Sequence, residues 1–135
     1  MGDLLIDLLH EKSVLLKKIK EEKWQAISGV HITHSEFSIL EKVYKNQPLI
    51  SHVAKQVPFT RQAVHKFIKQ LEEKGLVETK KFNLRDKSIE LTKLGEACFE
   101  KHLALKKELE NMIEEEIGEM NVKRIKEILK MEWGI

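Results

Sequence analysis

Apolar side chains recur every three to four residues along most of this 135-residue chain, and the spacing drops to every second residue once, just past the middle. The longer period belongs to amphipathic helices and the shorter one to half-buried strands. Leu5, Leu8, Leu9, Leu16, Ile19, Trp24 and Ile27 predict a first helix from about Asp3 to Ile27. At 1.5 Å per residue it is roughly 35–40 Å long, more than a domain of this size needs to cover its own core. A second helix starts at Thr33, where Thr33-His34-Ser35-Glu36 has the capping-box pattern of a hydroxyl followed three residues later by a glutamate. Phe37, Leu40, Val43 and Tyr44 form its apolar stripe, which ends near Asn46, before Pro48. A short third helix covers about Ile50 to Gln56, with Ile50, Val53, Ala54 and Val57 facing inward and Pro58 ending it. Thr60 then caps a fourth helix that runs to Lys74, with Val64, Phe67, Ile68 and Leu71 at i, i+3, i+4 and i+7.

Past Gly75 the alternation begins. Leu76–Lys80 and Ser88–Leu91 read as two strands, joined by a basic tip over 81–87. Helical spacing then returns from about Lys93 to Ile117, with Leu94, Cys98, His102, Leu105, Leu109 and Met112 on one stripe. Asn121 is positioned to cap a last helix carrying Val122, Ile125, Ile128 and Leu129, with Trp133 behind it. Gly29, Gly75 and Gly118 each follow a helical pattern, where a left-handed residue is useful. Gly95 is the exception, near the start of one.

These elements predict a mostly α fold with a small β-hairpin wing: a winged helix-turn-helix with long N- and C-terminal dimerisation helices. The expected organisation is a single domain over 1–135. Its winged helix-turn-helix part covers 33–92, and 1–28 with 93–135 form a helical dimerisation part. A second copy of the chain is the economical cover for the surplus apolar surface. The residues expected at that interface are Leu5, Leu8, Leu9, Leu16, Leu109, Met112, Ile113, Ile125, Leu129 and Trp133. Trp24 is expected in the same region, or lining an effector pocket.

Charge sharpens this picture. The net charge is only +2, but 55–87 carries nine lysines and arginines against four acids, +5, leaving −3 for the rest. Positive charge gathered in one segment is the electrostatic footprint of a polyanion partner. Phe59–Val77, read FTRQAVHKFIKQLEEKGLV, puts Arg61, Gln62, His65, Lys66 and Lys69 on the outside of the fourth helix. The plain explanation is a solvated face, since charged helix faces are common. A preceding short helix, a tight turn and a basic hairpin favour a helix that enters a DNA groove. Gln62 has the geometry to bridge adenine N6 and N7, Lys66 to donate to guanine, and Ala63 to touch a thymine methyl. Thr60 and Arg61 are placed for phosphate. Lys80, Lys81, Arg85 and Lys87 would reach the flanking backbone or minor groove, with arginine best suited to a narrow groove.

The pieces Val53–Val57, Thr60–Val64, Leu71–Val77 and Ile89–Gly95 together resemble the MarR (multiple-antibiotic-resistance regulator) family. The resemblance covers nearly the whole chain, in detail from about Thr33 to Gly95. It implies a homodimeric transcriptional regulator that binds pseudo-palindromic double-stranded DNA, often released by a small-molecule effector or by oxidation. The family's wing usually carries an Asp-x-Arg; Asn83-Leu84-Arg85 stands in that register, and Asp86 is the nearest substitute for the missing aspartate.

Other chemistry is weaker. Cys98 and His102, four apart on one helix face, form half of a zinc site whose partners would have to be the distant His10, His31, His34 or Glu36. Both lie on an apolar stripe, where a cysteine is ordinarily a small hydrophobe, so no metal is expected. With one cysteine there is no intrachain disulfide, and an oxidation sensor at Cys98 would need exposure that the stripe does not offer. His31 and His34 flank the start of the second helix, where local hydrogen bonding is the expected role. No phosphate loop, nucleophile elbow or HExxH is present; the expectation is a protein that is not an enzyme and takes no cofactor. The start, MGDLLIDLLHEK, has acids where a signal peptide needs cations, and no stretch approaches the roughly 18 apolar residues of a membrane span. The expected place is the cytoplasm, on the nucleoid, with no membrane partner. The expected function is sequence-specific regulation of transcription, with repression favoured. The alternatives are a winged-helix protein-interaction module and an architectural DNA binder without sequence choice.

Overall fold

The computed structural model describes residues 2–135. The described elements run α1 (Leu5–Ile27), α2 (His34–Val43), α3 (Ile50–Gln56), α4 (Arg61–Glu73), β1 (Val77–Lys81), β2 (Lys87–Leu91), α5 (Lys93–Ile117) and α6 (Glu119–Lys130). The order is the expected helix-turn-helix, wing and long flanking helices. Two compact units divide the chain, one through His102 and one from Leu103 to Ile135. None of the described helices is long and apolar enough to cross a membrane.

In the first unit the core is built from the stripes that the spacing predicts. Ile39, Leu40, Val43, Val53, Val64 and Leu71 are fully buried, as are Leu76 and Ile89 of the hairpin. The capping box at α2 is complete: Thr33 Oγ1 accepts from the Glu36 amide at 3.2 Å, and Glu36 Oε1 accepts from the Thr33 amide at 2.8 Å. Helix α4 ends in a Schellman motif, with the Leu76 amide donating to Leu71 O (2.9 Å) and the Gly75 amide to Glu72 O (3.0 Å). That closure needs Gly75 left-handed, and its φ is +76°. It also turns the chain directly into β1. The hairpin is antiparallel, from Val77 opposite Leu91 to Lys81 opposite Lys87. Residues 48–49 join its other edge, through a Leu49–Ser88 bridge and an Ile89 amide bond to Pro48 O at 2.9 Å.

Gly95 has a packing reason that its position in a helical pattern does not reveal. A Cβ built there would stand 2.0 Å from the carbonyl oxygen of Leu76. The first turn of α5 lies against the start of β1, held there by Thr92: its amide donates to Leu76 O, its hydroxyl donates to Gly75 O at 2.6 Å and accepts from the Gly95 amide. Backbone atoms cannot swing aside as a flexible side chain can. Gly95→Ala is expected to destabilise the fold by about 1–3 kcal/mol, read as a fall in the urea midpoint. An alanine variant as stable as the parent would contradict the close approach.

Several local expectations are corrected. Gly29 is not left-handed; α1 ends through an extended Ser28 whose amide reaches Trp24 O at 2.9 Å. The left-handed residue after α2 is Lys45, φ +60°. Asn121 is not a helix cap. Gly118 holds that position at φ +95°, α6 already begins at Glu119, and the Asn121 amide side chain donates to Ile117 O. Trp24 does not await a partner chain: it is 2% exposed, its indole donates to Val30 O at 2.8 Å, and it meets Phe37 edge-on at 5.1 Å between ring centroids. The stripe on α5 is buried only in part, at Cys98, His102, Leu105 and Leu109; Leu94 and Met112 are exposed.

Candidate nucleic-acid interface

The site is built from the start of α4 and the tip of the wing. Thr60, extended at φ −65° and ψ 158°, lets its hydroxyl accept the Ala63 amide at 3.1 Å and its carbonyl accept the Val64 amide. A helix start leaves four amides without internal partners, those of the cap and of the first three helical residues; the Thr60 hydroxyl takes that of Ala63 and leaves those of Arg61 and Gln62 at the positive end of the helix dipole. The Thr60 hydroxyl still has its proton to donate. Phe59, just before the cap, meets Phe67 edge-to-face at 5.3 Å and sets the angle at which the chain enters α4.

Burial then separates the two faces of α4. Val64, Ile68 and Leu71 face the core, while Arg61, Gln62, His65, Lys66 and Lys69 are exposed and Ala63 is half-buried. The far end is anchored by charge. Lys74 Nζ lies 2.7 and 2.8 Å from the two oxygens of Glu36, a carboxylate with no exposed surface. Nothing in the sequence spacing signals this pair, because its members stand 38 positions apart. It also removes Lys74 from the free positive charge of the segment.

The wing tip is ordered by side-chain hydrogen bonds. Asn83 Oδ1 accepts from the amides of Arg85 (2.8 Å) and Asp86 (2.9 Å), so the asparagine in the Asp-x-Arg register forms an Asx turn. Asp86 does substitute as a brace, but toward α3 rather than toward Arg85: Ser51 donates to it through both hydroxyl and amide, and the Lys87 amide donates at 2.9 Å. The Ser51 hydroxyl is the main reason that the Asp86 carboxyl titrates below its ordinary 3.8; desolvation opposes it, and the Lys87 and Ser51 amides and His52 add to it. A lowered folded pKa contributes stability that is complete above the unfolded value and is lost as pH falls through the folded one. The wing tip should therefore loosen in acid, below about pH 4. Backbone order measured by NMR over 83–87 is expected to drop as acid protonates the Asp86 carboxyl, and Ser51→Ala should produce the same drop at pH 7. Unchanged order in both would contradict the brace.

Lys80, Lys81, Arg85 and Lys87 are all exposed. Lys80 lies 3.7 Å from Glu90, whose other oxygen accepts from Gln47. Lys81 and Lys87 face each other across the hairpin, a like-charge pairing that is unfavourable in isolation. Among the described residues, Arg61, Lys66, Lys69, Lys81, Arg85 and Lys87 form no ion pair. The positive charge of α4 and the wing tip is thus presented to solvent without internal compensation.

The remaining candidates fare differently. His102 is buried and stacked on Phe37 at 3.6 Å and 9°, with Trp24 edge-on at 6.0 Å. Cys98, four residues earlier, is also buried, and desolvation pushes its thiol up, against a smaller opposing effect of Lys101; a raised pKa means less thiolate and less reactivity. Among the described residues no three His, Cys, Asp or Glu side chains gather as a metal site, and Glu36 is already committed to Thr33 and Lys74. The cavity that Trp24, Phe37 and His102 line with Lys17, Lys20 and Ile32 holds about 10 Å³, room for one water at most. Of the expected interface residues, Leu5, Leu8, Leu9 and Leu16 on α1 are 38–59% exposed, and Met112, Ile125, Leu129 and Trp133 are 40–52% exposed. Ile113 is half-buried, and Leu109 is already covered within the chain.

No family model matches the sequence, and no curated protein matches it either. Solved structures do match. MepR of Staphylococcus aureus, in its complex with DNA, superposes with a TM-score of 0.78 at 22% identity, over 93% of both chains. FabT of Streptococcus pneumoniae, also in complex with DNA, gives 0.79 at 20% identity, over 93% of this chain and 90% of that one. MarR gives 0.77 at 17% identity, over 91% and 92%. The described residues, six helices with a two-stranded wing between the fourth and fifth, share the fold of these three solved proteins.

Proposed function

We propose that this chain is a MarR-family transcriptional regulator that binds double-stranded DNA as a homodimer. The observation that carries the reading is the uncompensated positive charge on the first turns of α4 and on the wing tip. It sits in a fold whose MepR and FabT examples were solved in complex with DNA. Gln62 and Lys66 read base edges in the major groove, and Ala63 abuts a thymine methyl. Thr60, Arg61, His65 and Lys69, with the free amides at the helix start, hold phosphates. Lys80, Lys81, Arg85 and Lys87 grip the flanking backbone and minor groove. The exposed leucines of α1, and separately the exposed apolar residues of 112–133, are covered by a second copy. The dimer then presents two α4 helices to half-sites about one helical turn apart on a pseudo-palindrome. Repression follows from steric overlap with polymerase, and an effector would act by changing the spacing of the two helices.

The division of labour is testable. Lys66→Ala should flatten the preference between matched and altered sites while leaving non-specific affinity nearly intact. Arg85→Ala should weaken binding to every duplex and reduce the salt slope by about one. Equal losses on all sequences from both changes would refute the assignment. The class of function is tested by raising salt with duplex, single-stranded DNA and an anionic polymer as competing ligands. A regulator keeps a preferred duplex as salt rises; an indifferent basic surface, or one made for an acidic protein, does not.

A further inference from the structure

The tip of the wing carries two large apolar side chains that the reading above does not use. Leu84 is 93% exposed and Phe82 63%. Single exposed apolar residues are ordinary, but these two are held in place. The Phe82 and Asn83 amides both donate to Asp86 O, at 3.1 and 3.2 Å. The Asn83 side chain closes the turn beneath Leu84, and Asp86 fastens the tip to Ser51 of α3. Lys81 and Arg85 adjoin the two apolar residues in sequence, Lys87 stands opposite Lys81 across the hairpin, and none of the three forms an ion pair among the described residues. In water both features are unfavourable: apolar surface is fixed in contact with solvent, and like charges are crowded together. One ligand chemistry relieves both, a polyanion with an apolar interior. Duplex DNA has phosphates outside and stacked bases within.

From this we infer that Leu84, backed by Phe82, is a wedge that enters the minor groove and partly unstacks a base step while Lys81, Arg85 and Lys87 hold the phosphates on either side. The inference rests on the DNA-binding reading and adds a deformation to it. Apolar wedges open flexible pyrimidine–purine steps most easily. The wing therefore selects flanking TA steps by their deformability, a preference that needs no hydrogen bond to a base. Burial of the leucine side chain offsets most of the unstacking, so the net effect on affinity is moderate.

The test uses the full chain and duplexes of about three helical turns, identical in composition but with or without TA steps, and with 2-aminopurine placed at one such step. At low salt, saturating protein should raise 2-aminopurine fluorescence in the TA duplexes. Leu84→Ser should abolish that rise and lower affinity for them by roughly 5- to 20-fold, with a smaller loss on duplexes lacking TA. This residue lies in an exposed turn, so folding is not at stake; unchanged melting of the variant checks that. Tight binding by the parent with no fluorescence rise, or a rise that survives Leu84→Ser, would overturn the wedge and leave DNA binding standing. Failure of the parent to bind any duplex would overturn both. Leu84-dependent binding to vesicles of anionic phospholipid in that case would assign the tip to a membrane surface.

Discussion

Lys74→Met is expected to cost about 2–4 kcal/mol of folding stability. Removing one member of a buried ion pair usually costs about 3–5 kcal/mol, because the other charge is left in a medium that cannot solvate it. The lower end is set by Lys74 itself, whose side chain keeps 27% of its exposure while Glu36 keeps none. Glu36 would retain only the Thr33 amide as a partner. The effect should not be confined to stability. Glu36 lies in the first turn of α2 and Lys74 caps α4, so the pair fixes the helix carrying the exposed cationic face against the helix behind it. Urea denaturation should show the loss. The double change Lys74→Met with Glu36→Gln should recover part of it, since a glutamine can still accept the Thr33 amide. A single variant within about 0.5 kcal/mol of the parent would show that solvent reaches Glu36 more freely than its burial implies.

Charge placed on the exposed face of α1 is expected to have the largest effect on DNA binding. Leu8→Glu with Leu16→Glu alters residues that are 45% and 38% exposed in the single chain, so the fold of one chain loses little. A dimer that buried them would have to bury two carboxylates per chain without partners, at several kcal/mol each. Sedimentation should find monomers where the parent sediments as a dimer. Affinity for a two-half-site duplex should fall by about 100-fold or more, because the second half-site is no longer bound at high effective concentration. Removal of the whole helix is the poorer experiment: it takes away Trp24, which is buried with Phe37 and belongs to the core of its own chain. A variant that remains dimeric would place the interface elsewhere.

The fold was legible because its signals are local. The capping box at Thr33, the Thr60 cap, the i, i+3, i+4, i+7 stripe on α4 and the change of period after Gly75 each act within a turn or two of helix or strand. Strand limits moved by a single residue, to Val77–Lys81 and Lys87–Leu91. The misses were contacts between residues far apart in sequence. Glu36 with Lys74, Asp86 with Ser51, and Gly95 against Leu76 leave no periodic trace, and each depends on how elements pack. Trp24 departs from expectation for the same reason: it lies on a stripe whose other members are exposed or, at Ile19, half-buried, and only the packing of Phe37 and His102 separates it from them. The substitution at Asn83 suggested a lost brace by its residue type alone. In the folded tip the asparagine caps two amides, and the carboxylate three positions later takes the bracing role.

If the first turns of α4 read duplex sequence on behalf of a dimer, the DNA that the protein selects will carry that symmetry. Selection of bound duplexes from a random pool at near-physiological salt tests it most directly, with Gln62→Ala/Lys66→Ala run alongside the parent. The parent should enrich a pseudo-palindrome with half-sites about one helical turn apart, and the double variant should lose that sequence while still retaining DNA at low salt. A folded parent dimer that enriches no sequence, or a variant that recovers the same one, would contradict the account.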